Sequence, residues 1–444
     1  MRYQVNNFVE IFENEKVYIM NKKKNYTGQI IEIDLDGYDF FKTLISVTSL
    51  EEAVNKVLAE YDIPNIEELE DDIKDFVFQL STVNIVSVTE GHNEVFIEEI
   101  DNNSNEYVQK IEEIQDGYMK EGKPFKFFLE LTYNCNLKCK HCYRQEDVYI
   151  DKKECPSKHI DKNIIFQTLD DMEMLKVVEL YVTGGEPFLH PDIFEIIEYA
   201  SEKNFLLTIL TNGHIFSKKE NVEKIKEMDI YDIRISIYGL ENSHDRFTRI
   251  KGSYKKTITA LKNLNEILGL GTGVFVLTTL SYHDCGLVIK FFEENKINLT
   301  INSTISPTAR GDLNPLDLRI SNIQYSEFIK EYNIPMYGSK CSAGISRFRI
   351  SPLGEVGPCE LMDDISFGNI GNQRLSDILN NDLRKVFVND FKGYLKKHKC
   401  NSCDKRKMCN FCPAYFELET GIKNNPSKYI CSITEMKMKL IGSR

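Results

Sequence analysis

Strand-like and helix-like segments alternate six times between Phe125 and Ile305, and this alternation constrains the fold more than any other feature of the chain. The strand candidates are apolar runs over 126–133, 178–183, 205–211, 232–238, 273–280 and 298–305. Apolar residues at i, i+3 and i+4 mark the helices, and one helix is predicted over Ser253 to Leu268 with Gly269 as its C-cap. Six β/α units predict an α/β fold, a partial (β/α)6 TIM-type barrel that stays open.

The loops that follow the strands are where a barrel of this kind places its site. After the first strand come Cys135, Cys139 and Cys142, at C-x3-C-x2-C spacing. Three thiolates in one short loop can ligate three irons of a cubane [4Fe–4S] cluster and leave the fourth iron open, whereas closed clusters take four Cys. A zinc loop and a scatter of buried cysteines are the alternatives. The preceding strand and the loops downstream favour the cluster.

Three further loops carry residues suited to a polar ligand. Gly184 and Gly185 follow the second strand, where glycine lets the backbone approach a ligand closely. Glu186 comes next and can accept hydrogen bonds from an ammonium group. Asn212 after the third strand and Ser236 at the end of the fourth can hydrogen-bond a ribose or a carboxylate. Each motif alone is a common turn, but together they recur after successive strands.

The cysteine spacing and these loops resemble those of the radical S-adenosylmethionine (SAM) superfamily. The resemblance implies that SAM chelates the open iron and is split by one electron into methionine and a 5′-deoxyadenosyl radical. It gives Gly184, Gly185 and Glu186 the methionyl amine of SAM as their partner, and it places a ribose contact near Ser236.

The resemblance also implies contacts with the carboxylate and the adenine of SAM. Arg249 is expected to pair with the carboxylate bidentately, and Arg246 competes for the same role. His141 and Tyr143 flank Cys142 and are expected to pack on the adenine. A purely structural aromatic is the alternative for each of them.

The C-terminal third holds a second group of cysteines, Cys341, Cys359, Cys400, Cys403, Cys409, Cys412 and Cys431. Seven cysteines exceed one tetrahedral metal site, which takes four ligands, and two zinc sites are one interpretation. The pattern resembles the SPASM extension of peptide-modifying radical SAM enzymes, which implies two auxiliary [4Fe–4S] clusters. Carried over by motif position, one cluster falls to Cys400, Cys403, Cys409 and Cys431, and the other to Cys341, Cys359 and Cys412.

The second of these sets has only three cysteines. Related sulfatase-maturing enzymes carry another Cys shortly before the first one, but Ile334 to Lys340 contain none here. We hypothesise that a Cys thiolate of a peptide substrate binds the open iron. Glu360 stands where those enzymes place a catalytic Asp, although a solvated carboxylate is the simpler interpretation. Cys155 and Cys285 are interpreted as thiols without a role.

The chain is expected to divide into four parts. Residues 1–98 hold two hairpin candidates, Lys16 to Asp34 and Asn84 to Glu99, around two helices that begin after Ser49 and Asn65. This part resembles the winged-helix-like domains that bind the leader of a precursor peptide, with a generic appendage or a dimerisation module as alternatives. Residues 99–124 are polar and predict a linker. The partial barrel is expected over 125–330 and the SPASM domain over 331–444.

The composition of the chain limits which cellular compartment and which classes of partner are expected. The net charge of −13 argues against a nucleic-acid partner, because phosphate binding needs a basic face. No apolar run approaches the ~20 residues that span a bilayer, and the first residues do not form a signal peptide. Twelve cysteines without secretory features indicate metal or redox chemistry rather than disulfides. A cytoplasmic protein with neither a membrane nor a nucleic-acid partner is expected.

The layout as a whole resembles SPASM maturases that make sulfur-to-carbon thioether crosslinks in ribosomally synthesised peptides. The resemblance implies three [4Fe–4S] clusters, SAM, a precursor peptide with a leader and a Cys-containing core, and a reductant such as flavodoxin or ferredoxin. The alternatives are a sulfatase-type maturase that forms formylglycine, a maturase that joins carbons, and a peptide-binding scaffold that holds Fe–S clusters or zinc without catalysis.

Overall fold

A computed structural model describes residues 1–13, 15–22, 30–61, 63, 65–90, 105–144, 159–332 and 338–441 of the chain. Its strands, numbered in chain order, are β1 Arg2–Val5, β2 Phe8–Glu13, β3 Lys16–Asn21, β4 Ile31–Asp34, β5 Val86–Glu90, β6 Lys126–Glu130, β7 Glu179–Thr183, β8 Leu206–Thr211, β9 Asp232–Ile237, β10 Thr272–Val276, β11 Asn298–Asn302, β12 Arg347–Ile350, β13 Glu355–Gly357 and β14 Gly368–Asn369. Its α-helices are α1 Leu35–Ile45, α2 Leu50–Glu60, α3 Ile66–Thr82, α4 Asn105–Glu121, α5 Lys162–Met174, α6 Ile193–Ser201, α7 Lys219–Glu223, α8 Glu241–Thr248, α9 Ser253–Leu268, α10 Cys285–Glu294, α11 Asn322–Glu331, α12 Leu375–Asn380, α13 Asp382–Lys397, α14 Pro413–Thr420 and α15 Lys428–Ile441.

Six parallel strands, β6 to β11, form a curved sheet in which each strand pairs with its neighbour in sequence. All six overlap the runs predicted from the sequence, and the partial barrel is confirmed. Alternate residues of the central strands are fully buried, among them Leu207 and Ile209 of β8. Helices cover the outer face, and α9 ends as predicted at Gly269, whose φ of 61° only glycine adopts without strain.

The C-terminal part extends the barrel sheet instead of forming a separate one. β12 pairs with β6 in parallel, so that Phe348 lies beside Phe127, and β13 and β14 follow as antiparallel strands. The two Phe rings stack with centroids 5.1 Å apart and are both fully buried. The core of the barrel therefore continues into the cysteine-rich part of the chain.

The N-terminal residues form a three-stranded antiparallel sheet, β2-β3-β4, packed against the helices α1 to α3. The predicted pairing of Lys16–Met20 with the segment that ends at Asp34 is confirmed by the register of β3 and β4. The helices α2 and α3 begin as predicted, with Ser49 and Asn65 as N-caps. The second predicted hairpin is different, because β5 pairs with β1, and its other arm, 95–99, lies outside the described residues.

Most of the stretch over which a linker was predicted, 99–124, forms the helix α4, and the linker assignment itself stays a prediction. Ile114 and Tyr118 lie on one face of this helix and are buried against Val9 and Ile11 of β2. Polar residues dominate the composition here, but a narrow apolar face was enough to fix a helix on the sheet. The other predicted domain boundaries stay predictions.

The N-terminal sheet is docked on the barrel through its β2 edge. The Asn204 side chain after α6 accepts from the Glu10 backbone N–H and donates to the Glu10 carbonyl, both at 3.3 Å. Lys22 is buried and its Nζ donates to the Ser201 carbonyl at the end of the same helix, at 2.9 Å. Among the helices in the described ranges, none is long and apolar enough to cross a membrane.

Candidate functional site

The thiols of Cys135, Cys139 and Cys142 lie together just beyond the end of β6 and interact electrostatically with one another. Burial raises the pKa of Cys135 to about 12 and that of Cys139 further. Such thiols ionise when a metal supplies positive charge, so this donor set fits a metal-bound group. No three His, Cys, Asp or Glu side chains of the described residues converge on a single ion. The ligands of a [4Fe–4S] cluster are spread out instead, since each binds a different iron.

The end of helix α8 holds this cysteine loop in place. The backbone N–H groups of Lys138 and Lys140 donate to the carbonyls of Thr248 and Phe247, each at 3.1 Å. These carbonyls belong to the last turn of the helix, where they have no partner within it. The loop is thereby fixed to the element that follows β9.

The two glycines after β7 are required by the cysteine loop. A Cβ on Gly184, whose φ is 141°, would lie 2.5 Å from the Thr132 carbonyl oxygen, and one on Gly185 would overlap the Asn134 carbonyl. The Gly185 N–H donates to the Thr132 carbonyl at 2.7 Å, and the Glu186 N–H donates to that of Asn134 at 2.8 Å. The close approach is thus made to the loop backbone, and the predicted approach to SAM stays a prediction.

The Glu186 carboxylate is buried and ties two site loops together. It accepts from the Thr211 hydroxyl at 2.7 Å, the Asn212 N–H at 2.8 Å and the Phe188 N–H at 3.2 Å. Burial raises its pKa to about 7, although these hydrogen bonds act in the opposite direction. The side chain therefore shapes the rim of the site, and its predicted contact with an ammonium stays a prediction.

Asn212 and Ser236 both reach the cysteine loop, Asn212 directly and Ser236 through a neighbour. The Asn212 amide donates to the Asn136 side chain at 2.6 Å. Ser236 hydrogen-bonds the Tyr238 hydroxyl, and Tyr238 donates to the sulfur of Cys139. The structure thus brings both predicted residues to the site.

Tyr238 is a site residue that the sequence did not reveal. Its side chain is buried, its ring stacks on Phe247 at 4.2 Å between centroids, and its hydroxyl is a donor to a predicted iron ligand. Hydrogen bonds to ligand sulfurs tune the potential of iron–sulfur clusters. Only its position two residues after Ser236, immediately beyond the end of β9, could have pointed to it.

Arg249 is exposed immediately after α8, beside the turn that holds the cysteine loop. Its backbone is left-handed, with φ of 58°, a conformation that is uncommon for non-glycine residues. It makes no ion pair within the described residues, so its guanidinium is available to an anion. Arg246 is also exposed on the same helix, and the choice between them stays open.

The two aromatic residues beside Cys142 have different surroundings. The His141 ring lies 5.1 Å from the Tyr238 ring and 5.0 Å from that of Phe247, and burial lowers its pKa to about 4. Its Nδ1 has no hydrogen-bond partner in the described part of the chain. Tyr143 points inward and donates to Glu130 at 2.9 Å, so an adenine contact stays a prediction for both residues.

A buried charge cluster joins the cysteine loop to the C-terminal part of the chain. Glu130, at the end of β6, accepts from Arg144 at 3.3 Å and from Arg349 of β12 at 2.9 Å. Asp363 pairs with the same two arginines. Burial of an isolated charge is costly, but here each charge has an opposite partner. Sequence reasoning missed this cluster, since its members come from two distant stretches of the chain, 130–144 and 349–363.

The C-terminal thiols form the two groups predicted from the motif. Cys341, Cys359 and Cys412 interact electrostatically, and burial raises the pKa of each to about 12. The second group, whose thiols also interact with one another, is Cys400, Cys403, Cys409 and Cys431. Each group fits a metal-bound cluster by its donors, and the assignment of ligands stays a prediction.

Glu360 is not the solvated carboxylate expected from the sequence. Arg347 Nη2 donates to both of its oxygens, at 2.6 and 2.9 Å. The same guanidinium lies close enough to Cys359 and Cys341 to interact with their charges. Glu360 is thus held beside the three-thiol group in an ion pair. Cys285 is buried at the start of α10, whereas Cys155 lies outside the described residues.

Comparison with known protein families gives two matches. Residues 129–292 match the family described as "Radical SAM superfamily". Residues 341–405 match SPASM, described as "Iron-sulfur cluster-binding domain". The first match spans strands β6 to β10 with the first cysteine loop, and the second begins at Cys341.

Individual proteins are similar over longer stretches. The chain is 29% identical over 277 residues to "Antilisterial bacteriocin subtilosin biosynthesis protein AlbA" of Bacillus subtilis, which covers 59% of this chain and 60% of that relative. It is 25% identical over 333 residues to "AdoMet-dependent heme synthase" of Methanosarcina barkeri, over 66% of this chain and 92% of that protein. Streptococcus suis SuiB bound to precursor peptide SuiA has the same fold, with a TM-score of 0.58 and 18% identity over 97% of this chain and 100% of that chain.

Proposed function

We propose, from the premise that this chain is a radical SAM protein with a SPASM domain, that it is a maturase which forms intramolecular Cys thioether crosslinks in a ribosomally synthesised peptide. The observation that carries the proposal is the unequal pair of C-terminal thiol groups. One group has four cysteines and the other has three, so the second would leave one iron for a ligand from outside the chain.

The first cysteine loop would hold the catalytic cluster and SAM. Cys135, Cys139 and Cys142 supply its thiolates, and Arg249 supplies an unpaired cation for the SAM carboxylate. When bound, the cluster and SAM supply a radical that removes a hydrogen atom from the peptide. Glu186 and the glycines before it position the loop, and buried Phe247 and Tyr238 exclude water from beneath it.

The three-thiol group would hold the peptide sulfur. Arg347 lies next to Cys341 and Cys359, and its positive charge favours any thiolate bound there. Glu360 is occupied by this arginine and is therefore not assigned as a base. The proposed sequence of bonds is one C–H broken, one S–H ionised and one S–C formed, with one electron leaving through the auxiliary clusters.

The leader of the peptide would bind at the free edge of β4. The sheet β2-β3-β4 is covered on one face by α1 to α3 and on the other by α4. Asn204 occupies the β2 edge, and no described strand pairs with the outer side of β4. An extended peptide can add to such an edge through backbone hydrogen bonds. SuiB, which shares the fold, is described as bound to its precursor peptide.

The test is mass spectrometry of a Cys-containing peptide encoded beside this gene, after anaerobic incubation with the reconstituted protein, SAM and reductant. We expect the peptide to lose two hydrogens for each link. The linked cysteines should resist alkylation, and the fragmentation pattern should exclude disulfides. Cys139→Ala should abolish the product, whereas Cys285→Ala, which removes a buried thiol outside the three groups, should not. Loss of hydrogens with every Cys still alkylated would contradict the proposal and favour carbon–carbon linkage.

Two other outcomes have their own signatures. A product in which a Ser or Cys has become formylglycine would favour the sulfatase-type activity. An absence of SAM cleavage by the fully loaded protein would favour a non-catalytic scaffold. A flavodoxin- or ferredoxin-type reductant and a cytoplasmic location belong to the same proposal.

A further inference from the structure

The region around the four-thiol group is strongly basic in an acidic chain. Residues 392–410 contain one acid, Asp404, and the seven bases Lys392, Lys396, Lys397, Lys399, Lys405, Arg406 and Lys407. The chain as a whole carries a net charge of −13. Charges of one sign gathered in one place produce a local field that the overall balance does not reveal.

Five of these bases are exposed, Lys392 among them, and we call the four that lie nearest in sequence to Cys400, Cys403 and Cys409 the basic surface: Lys396, Lys397, Lys399 and Lys407. None of the four forms an ion pair within the described residues. Of the other bases, Lys405 pairs with Glu435 at 2.7 Å, whereas Arg406 donates to the neutral Ser339 carbonyl at 3.1 Å and keeps its charge. The basic surface thus keeps uncompensated charge that repels itself unless a partner covers it.

Thiols of the four-thiol group are exposed at the same place. Cys403 and Cys431 are both exposed, whereas Cys359 of the three-thiol group is buried. Cys431 lines a surface hollow together with Lys399 and Lys428. A cluster held here would lie close to solvent, within reach of a redox centre on another molecule.

We infer that the basic surface docks an acidic one-electron carrier protein, which exchanges electrons with the cluster of the four-thiol group. The step moves one electron and no atoms: the reduced carrier is oxidised by one electron and the cluster is reduced by one, or the reverse. The inference deepens the proposed function and rests on it for the presence of that cluster. Charge complementarity indicates an acidic carrier, because lysines without ion-pair partners increase the association rate of an acidic protein.

The test uses flavodoxin hydroquinone as the probe and the fully loaded protein without SAM or peptide. Stopped-flow absorbance gives the second-order rate of cluster reduction at several salt concentrations. Lys396→Gln, Lys397→Gln and Lys407→Gln combined should lower this rate about tenfold or more at low ionic strength. The same variant should lose most of the salt dependence, since salt acts by screening these charges.

A matched control removes three exposed lysines from the barrel helices and loops, through Lys218→Gln, Lys226→Gln and Lys290→Gln. It changes the net charge equally and should leave the rate within about twofold of the wild type, because only local charge steers docking. Iron content and circular dichroism establish that both variants are folded and loaded. Equal rates in all three proteins, or equal losses in the two variants, would overturn the inference.

Two outcomes separate this inference from the proposed function. Charge-dependent reduction by flavodoxin without any peptide crosslink would support the basic surface and contradict the maturase activity. The opposite result is crosslinking with a chemical reductant, together with a rate of reduction by flavodoxin that does not change when the three lysines are replaced. It would support the maturase activity and overturn the inference about the basic surface. Loss of peptide binding in the basic-surface variant with an unchanged flavodoxin rate would assign the surface to the peptide and overturn the inference.

Discussion

Arg349 donates from Nε to Glu130 Oε2 at 2.9 Å, although 219 residues of sequence separate the two. Both side chains are at most 4% exposed. Glu130 ends the strand that precedes the cysteine loop, and Arg349 lies in β12, which pairs with β13, the strand before Cys359. This ion pair, with Arg144 and Asp363 around it, connects the first cysteine loop with the part of the chain that holds the three-thiol group.

Glu130→Gln should destabilise the protein by about 3–5 kcal/mol, because it leaves buried arginine charge without compensation. Denaturant unfolding under anaerobic conditions, followed by circular dichroism, measures the loss. Glu266→Gln is the control, since Glu266 pairs with Lys219 at 2.6 Å but is 63% exposed, and it should cost no more than about 1 kcal/mol. Equal effects of the two variants would contradict the structural role of Glu130.

Tyr238→Phe should lower the reduction potential of the cluster in the first loop. The hydroxyl donates to the Cys139 sulfur, and such a bond stabilises the more negative, reduced state. A redox titration followed by electron paramagnetic resonance reports the potential without any turnover. Tyr282→Phe, which removes a hydroxyl bonded to Glu327 on the surface, should leave the potential unchanged. A potential that does not respond to Tyr238→Phe would exclude this tuning.

Gly185→Ala should cause the protein to lose the iron of one cluster. The added Cβ would lie 2.7 Å from the Tyr133 carbonyl oxygen and would also overlap that of Asn134, and this rigid backbone leads directly into Cys135. Iron and sulfide analysis after reconstitution should show about one [4Fe–4S] cluster fewer than in the wild type. Gly393→Ala meets no atom within 4 Å, so it should retain full iron content. A fully loaded Gly185→Ala protein would show that the loop tolerates displacement.

His141→Phe should make the stability less sensitive to acid. Burial lowers the pKa of His141 to about 4, below its unfolded value of about 6.5, so the unfolded chain binds more protons between these pH values. The stability that neutral His141 provides is therefore complete above pH ~6.5 and falls as the pH drops toward 4, by up to about 1.4 kcal/mol per pH unit. Phe keeps the packing against Tyr238 and Phe247 but does not titrate. The free energy of unfolding should be measured at pH 7, 6 and 5. As the pH falls, the variant should become more stable relative to the wild type, and a difference that stays constant with pH would contradict this.

The local parts of the structure could be predicted from the sequence, and the long-range parts could not. The six barrel strands were predictable because apolar runs and helical periodicity are encoded within short windows. The first cysteine loop was predictable because its spacing is a local signal, whereas the division of the C-terminal cysteines into two groups followed from the resemblance to the SPASM extension. The placement of β12 beside β6 was not, since nothing in either segment specifies a partner more than 200 residues away.

The features that the sequence did not reveal also depend on contacts that form only in the folded chain. Helix α4 was missed because its apolar face is narrow and polar residues dominate its composition. Tyr238, Glu130 and Arg349 were missed as site residues because their roles depend on neighbours that only the folded chain supplies. Glu360 was expected in solvent because Arg347 lies thirteen residues away, on a strand whose direction the sequence does not give.

The parallel pairing of β12 with β6 determines which fragments of this protein can fold. A polypeptide that stops before residue 347 would leave β6 as an open sheet edge, with the Phe127 ring deprived of its partner Phe348. Such a fragment should aggregate, even though it would contain the whole radical SAM match. The two cysteine-rich parts of the chain share one sheet, so the first should not be produced without the second.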